Sequence, residues 1–105
     1  MALKFIETDI YETVVAICKG YERRKKVISD DNRETATLNT YRALNEAIDR
    51  AIASVCEEGI REQIRKDIAN RKGYYYSELS LMMSYETFFN RKKHSIIAIA
   101  KELHL

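Results

Sequence analysis

Proline is absent from this 105-residue chain, and glycine occurs three times, at Gly20, Gly59 and Gly73. These two residue types are the usual breakers of helices and shapers of hairpins, so a chain nearly without them turns mainly where helices end. The constraint points to an all-α fold, a small helical bundle of about five helices. The length suits one domain over residues 1–105, with a hydrophobic core and no room for a second independent module. Apolar residues make up 46% and charged residues 32%, the balance of a folding chain and not of a disordered one.

The spacing of apolar residues supports helices throughout. From about Thr8 to Ile28, Ile10, Tyr11, Val14, Val15, Cys18, Tyr21 and Ile28 recur at intervals of three and four, with Gly20 inside the stripe as a bend or a close helix contact. Ser29-Asp30-Asp31-Asn32 reads as a connector. A second helix is expected to start near Arg33 or Glu34 and to carry Leu38, Tyr41, Leu44 or Asn45, Ile48, Ile52 and Val55 on one face. It is expected to end at Glu57-Glu58-Gly59, with the glycine in the left-handed closing conformation. A shorter third helix sets Ile60, Ile64 and Ile68 four apart, with Arg61, Arg65, Lys66, Arg71 and Lys72 on or near other faces and Gly73 closing it. These elements make residues 1–72 the bundle part; residues 73–105 make a C-terminal helix-turn-helix part.

Several function classes find no residues to support them. Cys18 and Cys56 lie far apart, with no Cys-x-x-Cys pair and no clustered histidines, so they read as small buried hydrophobes rather than as a zinc site or a disulfide. His94 and His104 lack partners at metal spacing, and the adjacent pairs Asp30-Asp31 and Glu57-Glu58 do not form an acid/base couple. No glycine-rich phosphate loop is present. The expectation is therefore no enzyme, no cofactor and no metal. The apolar stretch Val14 to Cys18 is too short for a membrane span, and Met1 to Glu7 lacks the basic-then-apolar order of a signal peptide, so a cytoplasmic protein without a membrane partner is expected.

Charge is unevenly placed. Residues 1–60 hold nine Lys/Arg against eleven Asp/Glu, whereas residues 61–105 hold nine against five, a basic end suited to a polyanion. Within it, Tyr74 to Leu103 reads as a short helix, a tight connection at Met82-Met83-Ser84 and a longer helix continuing through Phe88, Phe89, Ile96, Ile97, Ile99, Ala100 and Leu103. Ser77 and Ser84 are N-cap candidates. In a helix-turn-helix the second helix enters the major groove and its N-terminal residues meet base edges. Asn90 suits adenine, Arg91 or Lys93 suits guanine, and Lys92 with the Ser and Thr hydroxyls suits phosphates. The DNA-binding set expected from sequence is Ser84, Tyr85, Glu86, Thr87, Asn90, Arg91, Lys92 and Lys93.

The run Ser84-Tyr85-Glu86-Thr87-Phe88-Phe89-Asn90-Arg91-Lys92-Lys93, followed by Ile96-Ile97 and Ile99-Ala100-Lys101-Glu102-Leu103, resembles the C-terminal end of phage late-gene transcriptional activators of the RinA/ArpU type, which is similar in turn to region 4 of sigma factors. The resemblance covers the last third of the chain well and the helical remainder loosely. It matches Ser84 to the serine opening a recognition helix, Thr87 and Phe88 to the threonine-hydrophobic pair within it, and Arg91 to a DNA-facing basic position. It implies sequence-specific duplex DNA binding and transcriptional regulation, activation rather than repression, of phage or mobile-element genes with host RNA polymerase as a partner. Where sigma-like motifs place a Glu-Ile-Ala triplet and a glycine before the serine, this chain has Tyr76-Ser77-Glu78 and Met82.

Other features have plainer readings. Tyr74-Tyr75-Tyr76 suits packing at a helix junction better than base stacking, and Glu22-Arg23-Arg24-Lys25-Lys26 suits a charged helix end. Paired half-sites would favour a homodimer, for which the face of Leu38, Tyr41, Ile48 and Ile52 is a candidate, although intramolecular core is its more ordinary use. The alternative function is a helical protein-interaction module, a phage-encoded adaptor or inhibitor of a host protein that does not bind DNA. DNA binding requires Arg91 and Lys93 exposed on one edge with Asn90; the alternative requires an exposed apolar patch.

Overall fold

The structure, a computed structural model, describes residues 5–31 and 35–105. It is all-α, with no strand among the described residues: α1 (Thr8–Lys19), α2 (Tyr21–Asp30), α3 (Ala36–Ala53), α4 (Arg61–Ala69) and α5 (Tyr85–Glu102), with short 3-10 turns at Glu58–Ile60, Tyr74–Tyr76 and Glu78–Leu81. The single stripe expected from Thr8 to Ile28 is thus two helices articulated at Gly20. Arg24 explains the joint. Its buried guanidinium folds back over Gly20, donating from Nη2 to the Ile17 carbonyl and from Nε to Asn45 Oδ1 at 2.7 Å, while Asn45 Nδ2 donates to the Tyr21 carbonyl at 3.2 Å. A Cβ at position 20 would stand 2.5 Å from Arg24 Nη1, so glycine is needed there for close approach and not for an unusual φ.

The expected start of the second helix near Arg33 or Glu34, and Asn32 before it, lie outside the described residues. From Thr35 onward the local logic is clear: Thr35 Oγ1 accepts from the Leu38 amide at 3.1 Å and satisfies a free donor of the first turn of α3. Leu38, Asn45, Ile48 and Ile52 are buried, with Tyr41 and Leu44 half-buried beside them. The face offered above for a homodimer is therefore largely spent inside the chain. α3 packs between α2 and α5, and α1 packs against α4 and α5. Val14, Ile48, Ile64, Ile68, Ile96 and Ile99 meet in the middle, each wholly buried, and each such aliphatic side chain is worth roughly 1.5–3 kcal/mol on burial.

Helix closure differs from expectation. α3 stops at Ala53, Gly59 sits within the 3-10 turn Glu58–Ile60, and no described glycine has a positive φ. Arg71 (φ 54°) and His104 (φ 57°) take the left-handed role instead. Beyond α4, Lys72 N donates to the Asp67 carbonyl at 2.9 Å and Arg71 N to that of Ile68 at 3.2 Å. Beyond α5, Leu105 N donates to the Ala100 carbonyl at 2.9 Å and His104 N to that of Lys101 at 3.1 Å. This paired 6→1 and 5→2 bonding satisfies end carbonyls and offsets the roughly 1–2 kcal/mol that a side chain costs in the left-handed region. Gly73 is extended and closes nothing.

Cys18 and Cys56 are both buried free thiols; burial pushes Cys18 up to about 11, which makes it a poor nucleophile. Among the described residues no helix is long and apolar enough to cross a membrane.

Candidate nucleic-acid interface

The segment between α4 and α5 sets where α5 begins. The short helix expected before Met82 is replaced by the two 3-10 turns, which Asp67, Ser77 and Tyr74 hold. The Asp67 carboxylate, wholly buried, accepts from Gln63 Nε2 at 2.8 Å and from the Ser77 hydroxyl, and Ser77 Oγ in turn accepts from the Leu79 amide at 3.1 Å. The Tyr74 hydroxyl donates to the Met83 carbonyl at 2.8 Å, and its ring meets Phe88 edge-on with centroids 5.7 Å apart. Leu79 is buried, whereas Leu81 is 91% and Met82 67% exposed. Without a continuous apolar face to bury, this stretch has little to gain from extending into an α-helix. The departure from the sigma-like pattern at Tyr76-Ser77-Glu78 falls in this same stretch.

Ser84 then caps α5 as its sequence suggests, accepting from the Thr87 amide at 3.2 Å and meeting Thr87 Oγ1 at 3.1 Å. Phe88, Ser95, Ile96, Ile99 and Ala100 form its buried face. At 100° per residue, the opposite face holds Glu86, Asn90, Lys93, His94, Ile97 and Lys101.

The eight residues expected at the interface are divided by this geometry. Ser84 and Glu86 are exposed, Thr87 is engaged with Ser84, and Tyr85 is exposed with its ring edge-on to Tyr74 at 5.6 Å and parallel to Phe89. Asn90 and Lys93, both half-buried, lie on the outer face. Arg91 does not: it forms a fork on Glu57, with Nη2 at 2.8 Å and Nε at 3.0 Å from Oε1, and the bond holds the Glu57 carboxyl below its usual range. Lys92 turns to the other flank, where Nζ donates to the Lys72 carbonyl at 2.6 Å and lies 5.9 Å from the Phe88 ring centre; burial pushes its pKa below the ordinary lysine value. Consecutive helical residues step 100° around the axis, so Asn90 to Lys93 cannot all face one groove.

No protein-family model, curated protein or solved structure matches this chain. Only geometry bears on the candidate interface. Two residues outside the set expected from sequence share its outer face: His94 and Lys101, both exposed, lie four and eleven positions after Asn90, a relation that helical spacing carries. Asn90, His94 and Lys101 make no side-chain hydrogen bond or ion pair among the described residues, and Lys93 has only the Phe5 ring, 5.6 Å from Nζ. The second basic cluster, on α2, is split: Arg24 is buried, and Arg23 donates to the Tyr41 hydroxyl at 3.2 Å with its guanidinium 5.4 Å from the ring centre. Tyr74 packs at the helix junction as expected, but Tyr75 and Tyr76 are each 81% exposed.

Proposed function

We propose that this chain binds duplex DNA through the solvent face of α5 and regulates transcription by doing so. The observation that carries the reading is the stripe of Asn90, Lys93, His94 and Lys101. These polar and basic side chains have no carboxylate partner among the described residues, and they stand on a helix whose other face is clamped into the core. Long side chains free of internal partners can neutralise phosphates and release counterions, and an unpaired asparagine amide can meet adenine in the major groove. The resemblance of Ser84 to Leu103 to RinA/ArpU-type activators supports promoter DNA of a phage or mobile element as the target, activation as the outcome and host RNA polymerase as a partner. Within that reading Arg91 acts as a strut to Glu57 and not as a base-reading group.

The test is fluorescence anisotropy with duplex DNA flanking the gene, across a salt series, comparing the unaltered chain with Asn90→Ala/Lys93→Ala. We expect salt-dependent, sequence-preferring binding, with the double variant losing about 1–3 kcal/mol for the base contact and about one unit of salt slope. Absence of binding to any duplex at low salt would sink the proposal.

A second reading is favoured by one observation, the exposed apolar group of Tyr75, Tyr76, Leu81 and Met82. Exposed apolar side chains close in sequence can mark a protein contact, and these support a protein-interaction module without DNA binding. Under it, Leu81→Ser/Met82→Ser abolishes partner capture while Asn90→Ala/Lys93→Ala has no effect.

A further inference from the structure

A cavity of about 190 Å³ lies where α1, α5 and the turn at Gly73–Tyr76 meet. Its walls are mostly aromatic. Phe5 and Phe89 meet edge-on at 6.4 Å between centroids, and Tyr74 stands edge-on to Phe88 at 5.7 Å. Two lysines, Lys92 and Lys93, also line it. An aromatic cavity in a fold of this size is ordinary core geometry; two ammonium groups beside its rings, Lys92 Nζ 5.9 Å from the Phe88 ring centre and Lys93 Nζ 5.6 Å from that of Phe5, are not, and the desolvated Lys92 in particular calls for an anion.

Neither lysine has a carboxylate at ion-pair distance among the described residues, although the Asp67 carboxylate attracts Lys92 from further off. Lys92 gives one of its three donors to the Lys72 carbonyl and makes no ion pair among the described residues. Lys93 has no hydrogen-bond partner there and rests on the Phe5 ring, a weak substitute for a counter-ion. Desolvation lowers the pKa of Lys92, so an anion at this place would restore what burial took away. The cavity thus combines an apolar interior with two cationic side chains among its lining residues, a build that small-molecule sites share.

Size and shape define the ligand further. A cavity of about 150 Å³ accommodates benzene, so this volume suits one ring or two fused rings and excludes a nucleotide or a folded peptide. Flat rings make edge-to-face contacts with aromatic walls of this geometry. A carboxylate can accept from both ammonium groups, with charge-assisted hydrogen bonds.

We infer that this cavity binds a planar aromatic carboxylate, with its rings among Phe5, Tyr74, Phe88 and Phe89 and its carboxylate on Lys92 and Lys93. The site shares Lys93 with the proposed DNA face but does not rest on the DNA reading, and its test contains no DNA.

The experiment is an NMR titration of the full chain with naphthoate, and in parallel with naphthylmethanol, its neutral counterpart. We expect saturable binding of naphthoate with shifts centred on Tyr74, Phe88 and Phe89, and binding of the alcohol about tenfold weaker or more, the difference a charge-assisted pair makes. Lys92→Met and Lys93→Met should each weaken naphthoate and leave the alcohol unchanged. No saturable binding at millimolar naphthoate, equal affinity for acid and alcohol, or shifts centred away from these rings would each overturn the inference. The comparison of the two ligands on the unaltered chain holds even if a lysine variant folds poorly.

Discussion

The Ser77 hydroxyl donates to the wholly buried carboxylate of Asp67, and the same Ser77 oxygen accepts from the Leu79 amide. One side chain thereby satisfies a buried charge at the end of α4 and fixes the 3-10 turn that leads into α5. Ser77→Ala removes both bonds and leaves Asp67 with Gln63 as its remaining side-chain donor. Leaving such a group half satisfied costs about 2 kcal/mol, to be read from urea unfolding, and hydrogen exchange at Leu79 should quicken. A loss below about 0.5 kcal/mol would show that Asp67 does not depend on Ser77.

At Gly20 helix propensity and packing oppose each other. Propensity alone makes Gly20→Ala stabilising by about 1 kcal/mol. The new Cβ, however, displaces a guanidinium pinned to Ile17 and Asn45, so we expect a net loss of about 1–2 kcal/mol in chemical denaturation. In an Arg24→Ala background the same change should turn neutral or stabilising, a coupling that a double-mutant cycle measures.

Acid should weaken the fold through exposed ion pairs. Hydrogen bonds from Arg91, Arg71 and Lys66 hold Glu57, Glu12 and Glu62 below the ordinary value of 4.5. Because the folded pKa is the lower one, their contribution is complete above the unfolded value and is lost as pH falls through the folded value. Thermal midpoints recorded from neutral pH down through the carboxylate range should fall, and Glu57→Gln should flatten part of that fall. All three carboxylates are exposed, so added salt should shrink the effect.

At alkaline pH the sign reverses. Burial, together with the hydrogen bond to Asp49, raises Tyr21 from 10.0 to about 12, and burial raises Cys18 from 9.0 to about 11. Each favours the folded state fully below its unfolded pKa, and that contribution is lost as pH rises through the folded value. Tyrosinate absorbance should therefore show one of the seven tyrosines titrating about two units late. In Tyr21→Phe the late step should vanish.

The α5 face makes a prediction that separates two cations of one helix. Under the proposed DNA binding, Lys101→Ala should lower the salt slope by about one unit, as loss of a phosphate contact does. Arg91→Ala, though it deletes a charge closer to the N-terminus of the same helix, should leave affinity within about twofold while lowering thermal stability, because Arg91 is committed to Glu57. Equal losses in the two variants would return Arg91 to the interface.

Much of this architecture is legible in the order of residues. The lack of proline, the three- and four-residue spacing of Val14, Cys18, Ile48, Ile52, Ile64 and Ile68, and the capping role of Ser84 all act within one or two helical turns, so local sequence is enough to determine them. Tertiary structure decided the rest. Which flank of α5 is covered depends on α1, α3 and the 74–83 segment, and it diverts Arg91 to Glu57, 34 positions away, and Lys92 to Lys72, 20 positions away. Closure of α4 and α5 passed to Arg71 and His104 because end carbonyls took the following amides as partners, whatever side chain stood at the turn. Spacing along a helix determines which residues share a face; only the packing of distant segments determines which face meets water.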